Sequence, residues 1–136
     1  VCARMGVAMC SLDDESLTSR ALEVDCWVDA VLGSGFRPPL PAEWVALFSR
    51  LELLRSEARS NLIALDCPSG LDIGTGKPSE GVFKADVTLT FGAVKVGFLA
   101  QEATPFIGDV FVITLGVPLA PGAKHVILVD WVGIIH

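Results

Sequence analysis

The 136-residue sequence has few charged residues and no long hydrophobic run. Charged residues make up only 19% of it, against 51% hydrophobic residues. This composition is too apolar for a disordered segment, which cannot offset its loss of conformational entropy by burial. No stretch approaches the roughly 20 apolar residues that cross a bilayer. The sequence therefore excludes a disordered chain and a membrane-spanning helix, and it predicts a single domain over residues 1–136 with a sizeable core.

Basic residues are fewer than acidic ones, 10 against 16, so the formal net charge is −6. Binding to the phosphates of a nucleic acid requires clustered lysine and arginine side chains. The ten basic residues here are scattered along the chain. The sequence thus argues against a nucleic-acid partner.

Thiol and imidazole groups that could bind a soft metal are also sparse. The four cysteines, Cys2, Cys10, Cys26 and Cys67, form no Cys-x-x-Cys pair, and the chain has only two histidines, so no zinc site is predicted. Each cysteine lies in or beside an apolar stretch, where a free thiol is the commoner state. Reduced cysteines indicate an intracellular protein, cytoplasmic or organellar. No targeting signal is visible, and we expect the sequence to be part of a longer one, since it begins at Val1.

Hydrophobic periodicity divides the chain into strands and helices. Strands are predicted over 5–10, 24–32, 61–65, 85–91, 109–115 and 126–129, and a Gly/Pro/Ser-rich loop over 66–81. Helices are predicted over 11–22 and 43–57, the second with an apolar face formed by Trp44, Leu47, Phe48, Leu51 and Leu54. Strand, helix and strand with short connections are typical of an α/β fold with a mainly parallel sheet covered by helices.

Two aspartates follow apolar strand residues at places where the chain then turns. Asp29 precedes the turn Gly33-Ser34-Gly35, and Asp66 precedes Pro68-Ser69-Gly70. Because the ligands of parallel α/β sheets bind beyond the carboxyl ends of the strands, both aspartates belong to one candidate edge.

The glycine turn is a weak motif by itself. Gly33-Ser34-Gly35 lacks the third glycine of a dinucleotide fingerprint and the Gly-Lys-Ser/Thr end of a P-loop. Its backbone amides could approach a phosphate closely, with Arg37 supplying charge. Alternatively, the segment is a plain strand-to-loop turn and Arg37 is solvated.

Asp29 allows two interpretations as well, because a carboxylate in an apolar strand must be hydrogen-bonded, paired or coordinated. It could accept hydrogen bonds from backbone amides of the following turn. It could instead hold a hard cation together with Ser69 and backbone carbonyls, since such ions take oxygen ligands. Asp72 and Lys95 lie beside the same loops and are predicted to be surface or capping groups.

Four blocks of sequence, in this order, carry a family resemblance. They are residues 28–35 (VDAVLGSG), 65–72 (LDCPSGLD), 85–97 (ADVTLTFGAVKVG) and 108–118. Together they resemble the YjeF N-terminal domain, the family of NAD(P)H-hydrate epimerases. The blocks cover most of residues 24–118, which makes the match far more specific than a single glycine turn.

The resemblance implies a three-layer α/β/α Rossmann-like fold and an isomerase that interconverts the R and S epimers of hydrated NADH or NADPH. It implies a potassium ion held by Asp29 and Ser69, and it makes Asp66 the substrate contact that transfers a proton. The partners that it allows are this small molecule, a second copy in a homodimer, and a dehydratase domain, fused or associated. It assigns the phosphate contacts to Gly33, Ser34, Gly35, Phe36, Arg37, Pro38 and Pro39.

The chain also departs from the family pattern. No Asn-Asn-Gly-Gly-Asp segment, which supplies a further potassium ligand in the family, occurs before Asp29, so we expect the fold to be incomplete at its N-terminus. Pro38, Pro39 and Cys67 replace the usual residues. The alternative function is therefore a catalytically inactive binding or scaffold module, although the retention of Asp29 and Asp66 favours the enzyme.

Overall fold

A five-stranded sheet organises the computed structural model, which describes residue 6, residues 16–115 and residues 129–135, with side chains over 18–114. The spatial order is β1-β2-β3-β4-β5. The first four strands are parallel, and β5 is antiparallel to β4. The strands are β1 (Cys26–Asp29), β2 (Asn61–Leu65), β3 (Val87–Phe91), β4 (Asp109–Leu115) and β5 (Val129–Ile135).

The helices lie between or before the strands. The described helices are α1 (Ser16–Leu22), α2 (Ala42–Ala58), a short 3₁₀ helix (Val96–Leu99) and α3 (Thr104–Ile107). None of them combines the length and the hydrophobicity that crossing a bilayer requires.

The predicted α/β class and parallel sheet are confirmed, with some changes in strand ends. β2 and β4 have the predicted bounds. β1 ends at Asp29 instead of residue 32, because the Asp29 carboxylate accepts a hydrogen bond from Val31 N and turns the chain. β3 begins at Val87 instead of residue 85. Leu62 N donates its hydrogen bond to the side-chain oxygen Asp86 Oδ2 and not to a backbone carbonyl, so the strand pairing starts later.

The predictions near the two ends of the chain fall largely outside the described residues. This applies to the strand over 5–10, apart from residue 6, to the first part of the helix over 11–22, and to residues 126–128. The last strand was predicted to end at 129 and instead runs from Val129 to Ile135.

Helix α2 packs on the sheet through the face that its periodicity predicts. Phe48 is 1% exposed and belongs to a core cluster with Leu62 and Ala64 of β2. Its ring stacks on Phe83 with centroids 4.5 Å apart and meets Trp44 edge-on at 5.5 Å. Leu47 and Leu51 are partly buried against the same cluster, so the predicted packing of this helix is confirmed.

A second core cluster lies on the same face of the sheet. It contains Val110 of β4 and Ile107 of α3. Ala64, Thr88 and Val110 are paired in register, and residues paired across strands point to the same face. On the opposite face Val28 is 60% exposed. Helices α2 and α3 therefore pack on the same face of the sheet.

Two neighbouring leucines of α2 test which side of this helix is buried. Leu54 is 7% exposed and Leu53 is 60% exposed. We expect Leu54→Ala to lower the free energy of unfolding by roughly 2–5 kcal/mol, because it leaves a cavity. Leu53→Ala, the matched control, should change it by less than about 0.5 kcal/mol. Urea denaturation measures both values, and equal effects would contradict the described orientation of α2.

Candidate functional site

The carboxyl ends of the parallel strands meet at the predicted edge. Asp29 is the last residue of β1, and Asp66 directly follows β2. The register pairs Asp29 with Ala64, two residues before Asp66. Both aspartates therefore lie at one edge of the sheet, as the sequence predicts.

Asp29 and Ser69 form a buried hydrogen-bonded pair. Ser69 Oγ donates to Asp29 Oδ1 at 2.6 Å, and Ser69 N donates to Asp29 Oδ2 at 2.7 Å. Ser69 Oγ in turn accepts a hydrogen bond of 2.9 Å from Leu32 N. The exposed fractions of Asp29 and Ser69 are 3% and 0%. The pair thus joins the end of β1 to the loop after β2, beside the glycine turn that begins at Gly33.

No basic side chain among the described residues pairs with Asp29. The described ion pairs involve other acidic residues. Burial raises the pKa of the Asp29 carboxyl group, and the hydrogen bonds from Ser69 and Val31 oppose this effect. The bonds to backbone amides fit the first interpretation of Asp29. They do not exclude the second, because carboxylate oxygens each accept more than one hydrogen bond or ligand.

The oxygens of this pair are suited to a hard cation. Ser69 Oγ and Asp29 Oδ1 are adjacent, and Ser69 Oγ keeps one lone pair after donating to Asp29 and accepting from Leu32. A buried carboxylate without a counter-charge is stabilised by a bound cation. Among the described residues no group of three or more His, Cys, Asp or Glu side chains could hold a metal ion. Hard cations take oxygen ligands of this kind.

Asp66 has a different environment. Its backbone is left-handed, with φ of 70°, and its Oδ1 lies 2.8 Å from Lys95 Nζ and 3.4 Å from Phe91 N. Lys95 Nζ also donates to Phe91 O at 3.1 Å. The side chains of Asp66 and Lys95 are each 19% exposed. Lys95 is the N-cap residue of the 3₁₀ helix, as a capping role predicts, and its ammonium group also pairs with the carboxylate at the sheet edge.

The glycine turn leaves open space. Phe36 N donates to Gly33 O at 3.0 Å and closes the turn. Neither Gly33 nor Gly35 has a positive φ, and a Cβ atom added to either would meet nothing within 4 Å. The fold therefore does not require glycine at these two positions, which weakens the interpretation as a plain tight turn.

The rest of the predicted phosphate segment is divided between core and surface. Phe36 packs its ring against the α2 core, so its side chain has a structural role. Arg37 is exposed, and its Nη1 donates to Ser34 O at 3.1 Å and to Phe36 O at 2.7 Å. Pro38 and Pro39 are exposed.

A pocket of about 500 Å³ connects this segment to Lys95. Its basic side chains are Arg37 and Lys95, and Asp72 is its acidic one. Asp72 accepts hydrogen bonds from Gly74 N at 2.8 Å and Thr75 Oγ1 at 2.9 Å, which lower the pKa of its carboxyl group. Its predicted capping role is confirmed. The volume is within the range of small-molecule sites.

Cys67 lies in the core beneath the two aspartates. It is a free thiol, 1% exposed, and its Sγ contacts Leu32 O at 3.7 Å. Burial raises its pKa to about 11, and the negative charges of Asp66 and Asp29 act in the same direction. Cys26 is also free and is exposed. The reduced state expected of the cysteines stays a prediction.

Sequence reasoning placed Asp29, Asp66 and Ser69 at the edge and Lys95 beside the same loops, but it missed the ion pair of Lys95 with Asp66. One signal could have found it: Lys95 follows the end of β3 by four residues, so it belongs to the next loop at the same edge of the sheet. The catalytic and metal-binding roles of these residues stay predictions.

Comparisons with known proteins agree with this geometry. Residues 1–97 match the family described as YjeF-related protein N-terminus. An NAD(P)H-hydrate epimerase of Rhodopirellula baltica is 43% identical over 97 residues, which are 70% of this chain and 37% of that protein. The bifunctional NAD(P)H-hydrate repair enzyme Nnr of Helicobacter pylori is 38% identical over 104 residues, which are 76% of this chain and 21% of that protein. The chain thus spans less than half the length of these relatives.

One solved structure shows the shared fold. The crystal structure of yeast ynu0 superposes with a TM-score of 0.66 at 20% sequence identity. The superposition covers 86% of this chain and 47% of the yeast chain.

The environment of Cys67 predicts a difference in thiol reactivity. Cys67 is buried and its pKa is raised to about 11, so its thiol stays protonated and unreactive near pH 8. We expect iodoacetamide to alkylate Cys26 in the native protein and Cys67 only after unfolding. Peptide mapping by mass spectrometry measures both sites. Equal alkylation rates in the native protein would contradict the buried position of Cys67.

Proposed function

Because the chain belongs to the family of YjeF-related protein N-termini, we propose that it forms part of an enzyme that interconverts the R and S epimers of hydrated NADH and NADPH. Two relatives named NAD(P)H-hydrate epimerase are 43% and 36% identical to this chain over the matched stretches. One observation carries the proposal: the Asp66 carboxylate is ion-paired and partly exposed at the sheet edge, where α/β folds bind ligands.

Asp66 is the proposed proton-transfer group. The hydrated ring carries a hydroxyl on the carbon next to the ring nitrogen. In its protonated form Asp66 transfers a proton to this hydroxyl, and the nitrogen lone pair then breaks the C–O bond, which releases water and leaves a planar iminium ion. Water then adds to either face of the ring and returns a proton to Asp66, which completes the epimerisation without a net change. General acid–base catalysis of this kind contributes about 10²–10⁴ in rate.

The glycine turn and Arg37 are the proposed anchor for the phosphates. The open space above Gly33 and Gly35 lets a phosphate approach the backbone amides. Arg37 adds positive charge at the wall of the pocket that also contains Lys95. Anchoring the remote phosphates fixes the ring against Asp66, and such orientation accounts for a large part of enzymatic acceleration.

Asp29 and Ser69 are the proposed protein ligands of a potassium ion. The support is the buried Asp29 carboxylate, which has no basic partner among the described side chains, and the adjacent Ser69 hydroxyl. A bound potassium ion supplies a positive charge that positions the surrounding groups and polarises oxygen only weakly. The two residues themselves tie β1 to the loop that contains Asp66 and Cys67.

The wider setting is proposed from the relatives. Some of them are named bifunctional repair enzymes, and we propose a dehydratase domain, fused or associated, as the partner activity. The intracellular location inferred from the cysteines and the homodimer implied by the resemblance stay predictions.

The catalytic proposal is tested by Asp66→Asn in the full-length protein. Asparagine keeps the shape of the side chain but cannot exchange a proton, so we expect the rate to fall about 10²–10⁴-fold while nucleotide binding is retained. Chromatography of the two epimers measures the rate, corrected for the spontaneous reaction. An Asp66→Asn variant with full activity would contradict the proposal. A wild-type protein that has no activity but binds a protein partner would instead identify a scaffold module.

The potassium proposal is tested by thermal unfolding in potassium chloride and in choline chloride of equal concentration. Potassium should stabilise the wild-type protein, by about 2.7 kcal/mol at a hundredfold excess over its Kd. Asp29→Asn should remove this difference, because it removes the buried charge. Asp25→Asn is the matched control, since Asp25 is an exposed aspartate just before the same strand. A difference that persists in Asp29→Asn would contradict the assignment.

A further inference from the structure

Lys95 makes more contacts than a simple surface ion pair does. Its ammonium group contacts two oxygens from two different strand ends, Asp66 Oδ1 at 2.8 Å and Phe91 O at 3.1 Å. The chain reverses at Gly92, where φ is 78°, and this reversal brings Lys95 back over the end of β3. The ammonium position is therefore set by the backbone of β3 as well as by the Asp66 carboxylate.

These contacts orient the Asp66 carboxylate. Both of its side-chain partners, Lys95 Nζ and Phe91 N, contact Oδ1. Among the described residues no hydrogen bond engages Oδ2. One oxygen is thus held by the protein and the other is available to a substrate. The left-handed backbone of Asp66 is fixed at the same time by its own amide, which donates to Leu89 O at 2.8 Å.

Lys95 contacts the carboxylate and also borders the pocket. It lines the pocket that contains Arg37 and Asp72, and its side chain is 19% exposed. A partly buried ammonium group interacts more strongly with a carboxylate than a fully solvated one does. Its removal would free Asp66 to rotate at the place where a substrate meets it.

We propose that Lys95 is the positioning residue for Asp66: its ammonium group holds Oδ1, so that Oδ2 faces the substrate for proton transfer. The inference rests on the proposed epimerase function and adds a residue to it. Lys95 acts through Asp66, not on the reacting atoms.

Steady-state kinetics of three variants of the full-length protein test the proposal. The variants are Lys95→Met, Lys95→Arg and the matched control Lys84→Met. Lys84 is exposed and lies outside the pocket. Methionine keeps most of the length of the lysine side chain and loses its charge. We expect kcat to fall about 10–100-fold, because a misplaced catalytic group lowers the rate by this order, and KM to change less than about threefold. Lys95→Arg should restore part of kcat, and Lys84→Met should behave as wild type.

A double variant separates positioning from an independent role. If Lys95 acts only through Asp66, Asp66→Asn with Lys95→Met should be no slower than Asp66→Asn alone. Multiplicative losses would overturn the proposal, as would a Lys95→Met variant with unchanged kcat or with a raised KM alone.

A readout without substrate keeps this inference apart from the epimerase proposal. The ¹⁵Nζ resonance of Lys95 should move in Asp66→Asn and stay in place in Asp72→Asn, because Lys95 pairs with Asp66 and not with Asp72. If the wild-type protein shows no epimerisation, the proposed function fails, whatever the resonance does. If the resonance of Lys95 does not move in Asp66→Asn, the Lys95 inference fails, whatever the activity of the protein is.

Discussion

The contact between Asp29 and Ser69 is the constraint on which the arrangement of the site depends. It joins residues 40 positions apart in sequence, and it holds both oxygens of a carboxylate that is only 3% exposed. Ser69 Oγ also accepts from Leu32 N, so the glycine turn after β1 is held by the same hydroxyl. Burial without hydrogen bonds would be strongly unfavourable for Asp29. The position of the loops therefore follows from how this one charge is satisfied.

Two carboxylates at one edge acquire different properties from their surroundings. Asp29 is buried, is bonded to a hydroxyl and backbone amides, and has no basic partner among the described side chains. Asp66 is partly exposed and is paired with Lys95, which lines a pocket. Pairs of titratable groups in contrasting environments are typical of active sites. Here the contrast supports an ion-binding role for the first aspartate and a proton-transfer role for the second.

Much of the fold could be predicted because its signals are repeated along the chain. The face of α2 is visible in the helical spacing of Trp44 and Phe48, and the edge of the sheet follows from strand polarity. The 3₁₀ helix and α3 have four residues each, too few for a periodic pattern. The contact of Lys95 with Asp66 depends on the path of the turn at Gly92, which hydrophobicity does not encode. The proposed roles of the site residues came from family resemblance, since spacing alone left Asp29 with two interpretations.

Amide hydrogen exchange tests most directly whether the Asp29–Ser69 pair holds the site together. The informative amides are Leu32, which donates to Ser69 Oγ, and Ser69, which donates to Asp29. In Ser69→Ala the account predicts faster exchange at both amides and unchanged exchange at Leu89 in the middle of β3. Unchanged protection of Leu32 in this variant would contradict the claim that this contact holds the glycine turn in place.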